Sequence, residues 1–288
     1  MIPAVVTLAF DPLVYFGDIS VRMQTLVLGA ILLAALLLVS RIGRITPMAG
    51  PYVPAPTLNP TDLPFLVLGI VPGALLGGRL DYVLVHLDYY LAHPGSLIDP
   101  SQGALGLGLA VPGAMIGGAV IARLIDAPLD RWMHAAALPT LFVLAAGKLS
   151  GVLSADGQGQ PSDASWATAY AGDGPWNSLA AAVPSHPAQV YEAILVTLIL
   201  VFFGLALRAG VFARRDGSAL TVAVGLWAVA RIAVSFTWRD LGIIGPLRAE
   251  QLILLLVVAG CAYSVVTLRR EEVAVARGRT LGRTFGDG

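Results

Sequence analysis

The stretch HPAQVYE, residues 186–192, runs directly into AILVTLILVFFGLALRA, residues 193–209. The second stretch gives a run of about twenty mostly apolar residues, which is long enough for a membrane-spanning helix. Glu192 follows Gln189 by about one helical turn, so both side chains can face one cavity. A carboxylate at this depth is unfavourable unless it is paired or hydrated, which makes Glu192 a candidate functional residue. The structural alternative is that His186 and Gln189 cap the helix and Glu192 forms an ion pair.

The composition around this stretch is that of a polytopic membrane protein. Hydrophobic residues make up 57% of the chain and charged residues 12%, and the mean hydropathy is +0.78. A formal net charge of zero gives no bulk attraction to nucleic acid, so we expect no nucleic-acid partner. The single cysteine, Cys261, excludes an internal disulfide and a cysteine-based metal site.

Apolar runs recur along the chain and predict an all-α integral membrane protein with seven transmembrane helices. The predicted spans are residues 24–40, 63–85, 103–125, 133–153, 193–209, 218–236 and 249–268. They form one membrane domain over residues 1–268, in which residues 155–185 are a loop on the outer face. Residues 1–17 are predicted to lie on the membrane surface, and residues 269–288 form a charged, partly disordered tail.

The distribution of basic residues predicts the orientation of these spans. Twelve of the eighteen lie in alternate loops and the tail, three lie in the opposite loops, and three lie within spans. Because basic residues accumulate on the cytoplasmic side, we expect the N-terminus outside and the C-terminus in the cytoplasm. In a bacterial cell, we expect this multi-pass protein to lie in the plasma (inner) membrane.

With this topology, four charged residues converge near the outer face: Arg79, Lys148, Glu192 and Arg231. Each cation inside a bilayer is unfavourable by at least ~2.5 kcal/mol, so their grouping favours a function. Three cations against one carboxylate leave positive charge that an anionic phospholipid headgroup can neutralise. The structural alternative is that Arg79 pairs with Glu192, while Lys148 and Arg231 extend to the interface.

The chain resembles the prolipoprotein diacylglyceryl transferase family at these residues. Residues 186–192 are close to the family's His-Pro-Thr-Gln-Leu-Tyr-Glu, and residues 77–82 resemble its Gly-Ala-Arg-Leu-x-Tyr. Residues 112–118 and 147–156 align with two further motifs. In the sixth span, Arg231 and Arg239 match an Arg…Glu…Arg pattern. The residues that depart from the family pattern are Gln24 for tyrosine, Pro112 for histidine, Lys148 for arginine, Gly151 and Ser154 for asparagines, and Asp156 and Ser235 for glutamates.

The resemblance implies a reaction at the outer face of the membrane. Members of the family move the diacylglyceryl group of phosphatidylglycerol onto the cysteine thiol of a lipoprotein precursor, and glycerol phosphate leaves. The chemistry needs a thiolate, and cations where negative charge develops on the departing phosphate. No metal or other cofactor is expected, and the partners are phosphatidylglycerol or another anionic phospholipid, membrane lipid and lipoprotein precursors.

Roles follow for the candidate residues. We predict catalytic roles for His186, Lys148, Arg231 and Glu192, with His186 as the base because its unperturbed pKa near 6.5 suits proton transfer. Glu192 is the expected partner that orients or charge-stabilises this histidine. The predicted substrate-binding residues are Arg79, Tyr82, Gln189, Tyr191, Asp156, Gly159 and Arg239.

Two other functions remain open from the sequence. The first is a catalytically silent relative that binds anionic phospholipid or lipoprotein precursor. The second is a transporter, which is disfavoured because no pair of interrupted helical repeats is visible.

Overall fold

Long helices dominate the computed structural model, which describes residues 5–48, 57–97, 99, 103–172, 174–240 and 242–284. The helices are α1 (Met23–Ile45), α2 (Asp62–Val85), α3 (Leu87–Ala92), α4 (Leu107–Leu124), α5 (Leu129–Ser150), α6 (Ala188–Arg208), α7 (Ser218–Ser235) and α8 (Ala249–Thr284). The strands are β1 (Val6–Ala9), β2 (Leu13–Phe16), β3 (Ile19–Arg22) and β4 (Thr168–Ala171).

Seven of these helices are long and apolar enough to cross a membrane, and α3 is the exception. They coincide with the seven predicted spans, so the predicted membrane architecture is confirmed. In α8 the membrane-compatible part is Ala249–Leu268, and the helix continues to Thr284 into the predicted charged tail.

Helix α7 is the centre of the bundle, with 61% of its apolar window buried. Its Trp227 is fully buried and packs in a cluster with Leu141 of α5, Phe203 of α6 and Leu254 of α8. The residues of α7 therefore lie within reach of three other helices, which matters for the site below.

Helices α2 and α4 pack through glycines at unusually close range. A Cβ added to Gly73 would collide with the carbonyl oxygen of Gly113, and one added to Gly69 with that of Gly117. Small residues allow this approach, which supplies van der Waals contact where lipid offers no hydrophobic driving force. The two helices therefore form one rigid wall of the bundle.

We expect Gly73→Ala to destabilise the protein by ~1–3 kcal/mol, because the added methyl forces the two backbones apart. Thermal unfolding in detergent measures this change. Gly204→Ala on α6 is the matched control, since nothing lies within 4 Å of the added Cβ. A melting temperature of Gly73→Ala equal to that of Gly204→Ala would contradict the tight packing.

Four short strands flank the helices of this mostly helical fold. Strands β2 and β3 form an antiparallel hairpin directly before α1, and β1 pairs in parallel with β4 of the predicted outer-face loop. Residues 5–17, predicted to lie on the membrane surface, contain two of these strands, and residues 1–4 lie outside the described part. Membrane helices satisfy their backbone hydrogen bonds internally, so the polar segments between them must pair their backbone groups with one another. The strand pairs β1–β4 and β2–β3 do this.

Candidate active site

The carboxylate of Glu192 lies at the centre of the site, in the second turn of α6. Its side chain is 1% exposed, and both of its oxygens accept hydrogen bonds from Arg231 Nη1, at 2.9 and 2.8 Å. Trp227 Nε1 donates to Oε1 at 3.4 Å, and Lys148 Nζ lies 3.6 Å from Oε2. Three helix-borne groups are thus joined around one buried carboxylate.

Arg231 uses the other side of its guanidinium for a second carboxylate. Its Nε and Nη2 lie 2.7 and 2.5 Å from Oε1 of Glu250, in the first turn of α8. The guanidinium also lies over the Trp238 ring, 4.6 Å from the centroid. We call Lys148, Glu192, Arg231 and Glu250 the charge cluster.

The charge cluster corrects two expectations from the sequence. Glu250 was not among the predicted site residues, and with it two cations face two carboxylates, so the expected positive surplus is absent from the cluster. The alternative pairing of Arg79 with Glu192 is also wrong, because Arg231 and Lys148 occupy that carboxylate. Glu250 lies near the end of a span, where acidic residues at the membrane interface are common, so the sequence did not single it out as a site residue.

Arg79 lies on α2 and binds a different segment of the chain. Its Nη2 donates to the carbonyl oxygens of Ser96 at 2.6 Å and Asp99 at 3.1 Å, and the guanidinium lies over Tyr90. Tyr82, one turn further, stacks on His86 with ring centroids 4.2 Å apart. The structure thus brings together Lys148, Glu192 and Arg231, whereas Arg79 holds the segment after α3.

The other polar residues of the 186–192 motif form a polar layer with side chains of the loop of residues 155–185. Tyr191 Oη lies 3.2 Å from His186 Nδ1 and accepts a bond of 2.7 Å from Trp166 Nε1. Gln189 is buried and donates to Tyr170 Oη at 3.2 Å. Burial raises the pKa of Tyr170 to about 12, so the phenol stays neutral near pH 7.

This layer also bears on the predicted partner of His186. Its ring nitrogen is placed beside Tyr191, while the carboxylate of Glu192 is bound by Arg231, Lys148 and Trp227. The expected pairing of His186 with Glu192 is therefore wrong. The role of His186 as a base stays a prediction.

Arg239 reaches back from the end of α7 to fix the loop of residues 155–185. Its Nε donates to Gly159 O at 2.6 Å, and its Nη2 donates to Ser185 Oγ at 2.9 Å. A Cβ on Gly159 would collide with the carbonyl of Thr237, so this glycine permits the close approach. Asp156 is exposed at the start of the same loop. These contacts give Arg239 and Gly159 a structural role, and lipid binding by these three residues stays a prediction.

A second polar group joins the start of α1 to this loop. Gln24 Oε1 accepts from Ser154 Oγ at 2.6 Å and from Asn177 Nδ2 at 3.4 Å. Arg22 in turn donates to Asn177. Gln24 and Ser154 both depart from the family pattern, and they contact each other. Asn177, in a loop of small polar residues, carried no signal that would single it out.

The chain was compared with known proteins. The sequence profile described as prolipoprotein diacylglyceryl transferase matches residues 12–267. A phosphatidylglycerol–prolipoprotein diacylglyceryl transferase of Cupriavidus necator is 28% identical over 285 residues, covering 93% of this chain and 96% of that protein. Proteins of the same name are 29% identical over 79% of this chain in Nitrobacter hamburgensis, where 76% of the relative is covered, and 31% identical over 70% in Methylocella silvestris, where 74% is covered. With a match that spans nearly all of its described helices, the chain belongs to the prolipoprotein diacylglyceryl transferase family.

Proposed function

We propose that this protein transfers the diacylglyceryl group of phosphatidylglycerol to the cysteine thiol of a prolipoprotein. The observation that carries the proposal is the family match over residues 12–267, which includes every member of the charge cluster. Relatives that cover most of the chain bear the name of this reaction. A multi-pass protein in the membrane has direct access to a lipid substrate.

The reaction joins the cysteine sulfur to a glycerol carbon of the lipid and breaks the bond from that carbon to the phosphate oxygen. Negative charge develops on the departing glycerol phosphate, where a cation stabilises it. Lys148 is proposed for this task. Its side chain is 20% exposed and its contact with Glu192 is 3.6 Å long, whereas Arg231 is 5% exposed and bound on both sides.

The proposed location of the reaction is the outer face of the bacterial plasma membrane. The helix ends that carry the charge cluster lie on the side poor in basic residues, because twelve of the eighteen fall in the opposite loops and the tail. The positive-inside rule then gives an outside N-terminus and a cytoplasmic tail. Anionic phospholipid and the precursor cysteine would meet at this outer level.

The decisive experiment combines purified protein, phosphatidylglycerol in detergent or vesicles, and a peptide with one lipobox cysteine. We expect the peptide to gain the mass of a diacylglyceryl group, with release of glycerol phosphate. A second reaction with phosphatidylethanolamine is expected to be slower, since its headgroup is zwitterionic. No transfer, beside an active relative under the same conditions, would favour the silent lipid-binding alternative.

A further inference from the structure

A third carboxylate lies close to the charge cluster and has no part in the mechanism above. Asp81, near the end of α2, is fully buried at 0% exposure. Its Oδ2 accepts a hydrogen bond of 2.9 Å from the backbone N–H of Gly108, in the first turn of α4. Its Oδ1 is buried without a hydrogen-bond partner among the described residues. A buried carboxylate oxygen without a partner is unfavourable, so it calls for an explanation.

The surroundings of Asp81 leave room for a carboxylate, which is buried and acted on by charges of both signs. A Cβ on Gly106 would collide with the carboxylate, so this glycine makes the position possible. The N–H groups at the start of α4 carry partial positive charge, which stabilises an anion. The charged groups that act on it from other helices are Arg231 of α7 and Glu250 of α8, while α4 contributes backbone N–H groups.

The position along α4 connects Asp81 to the reaction. Gly108 precedes Pro112 by four residues, so the carboxylate lies about one helical turn from the residue at which the family pattern has a histidine. Proline has no titratable group. Asp81 of α2 binds α4 one turn from this proline, so its carboxylate is placed to accept a proton, which a proline cannot do.

We propose that Asp81 takes the proton of the substrate cysteine, an assignment that rests on the proposed transferase function. The S–H bond breaks and its proton moves to Oδ1 of Asp81. The sulfur then forms a bond to the glycerol carbon of the lipid, while the bond from that carbon to the phosphate oxygen breaks. Its electron pair leaves with glycerol phosphate, which receives the proton back from Asp81.

The competing explanation is that Asp81 only caps α4. Asp81→Asn separates the two roles, because the amide oxygen can still accept the Gly108 N–H but the side chain cannot take a proton. We expect this variant to transfer ~10²–10⁴-fold more slowly near pH 7. The deficit should shrink as the pH rises towards the thiol's reference pKa of about 8.5, since the thiol then ionises unaided.

His186→Ala is measured in parallel, with melting temperatures of all proteins in detergent. A loss in His186→Ala that stays the same at every pH, whatever its size, supports the assignment. Full activity of Asp81→Asn, or an equal loss at every pH, would overturn it while leaving the transferase function intact. A large loss in His186→Ala that shrinks at higher pH would likewise overturn the assignment and leave the transferase function intact. Absence of transfer by the parent protein would overturn both the function and the assignment.

If Asp81→Asn fails to fold, Gly106→Ala replaces it in the assay. This change keeps the carboxylate and displaces it, because the new methyl occupies its position. We expect the same pH-relieved loss of transfer. Parent-like activity of Gly106→Ala over the whole pH range would overturn the assignment.

Discussion

Arg231→Ala is expected to lower the free energy of unfolding by ~3–5 kcal/mol and to abolish transfer. Among the described residues, the Arg231 guanidinium is the one group that contacts both the Glu192 and the Glu250 carboxylates. Its side chain is 5% exposed. Its removal leaves the buried carboxylate of Glu192 with only the partly exposed Lys148, and the 15% exposed carboxylate of Glu250 without its arginine. Breaking a buried ion pair in this way carries the penalty stated. Unfolding by denaturant or heat in detergent micelles measures the change.

Neutralising the two acids tests whether charge is the cause. Adding Glu192→Gln and Glu250→Gln to Arg231→Ala should restore part of the lost stability, although not the activity. The effects are then non-additive, as expected for residues in one network. Arg41→Ala is the control, because Arg41 is exposed and a surface substitution changes stability by about 0.5 kcal/mol or less. A triple variant less stable than Arg231→Ala would contradict the ion-pair explanation.

Lys148→Gln is expected to reduce kcat for transfer by ~10²–10³-fold with a small effect on folding. Glutamine keeps a polar side chain of similar length but cannot neutralise a departing phosphate, and loss of one stabilising group in a transition state has this magnitude. The modest structural effect follows from the 20% exposure of the lysine and from the 3.6 Å length of its contact with Glu192. Initial rates with the lipobox peptide and phosphatidylglycerol give kcat and KM.

Lys148→Arg is the matched control, since it keeps the charge and places at this position the residue of the family pattern. Activity at or above that of the parent is expected, because an arginine can also bind phosphate with two parallel hydrogen bonds. Equal activity of Lys148→Gln and the parent would remove Lys148 from the reaction. A large rise in KM with unchanged kcat would assign it to lipid binding alone.

The helices were predictable from the sequence because the bilayer imposes their length and composition. Each span needs about twenty apolar residues, and each run of that kind became a helix. Their neighbours were not predictable in the same way. Hydropathy does not reveal that α7 packs among α5, α6 and α8, so the partner of Glu192 was left between Arg79 and other cations. Only the packing identifies Arg231 and Lys148.

The substituted motif positions illustrate a second limit of the sequence. Ser235 replaces a glutamate one turn beyond Arg231, and its hydroxyl accepts a bond of 2.8 Å from Gln251 Nε2. Arg231 contacts two carboxylates from other helices, Glu192 of α6 and Glu250 of α8. A motif read along one helix records a lost carboxylate at Ser235 but does not show these neighbours, because they lie far away in the chain.

The charge cluster also has a consequence for how the protein is made. Its members lie on four successive helices in the order Lys148 on α5, Glu192 on α6, Arg231 on α7 and Glu250 on α8, so the sign of the charge alternates. A charged residue hinders the entry of a helix into the bilayer, by ~2.5–3.5 kcal/mol at the helix centre and by less near the helix ends, where these four residues lie. During synthesis, we expect each helix inserted after α5 to find a residue of opposite charge on the helix inserted before it. Insertion and assembly of this half of the bundle are thereby coupled, and none of the four charges has to enter lipid without its partner being next in line.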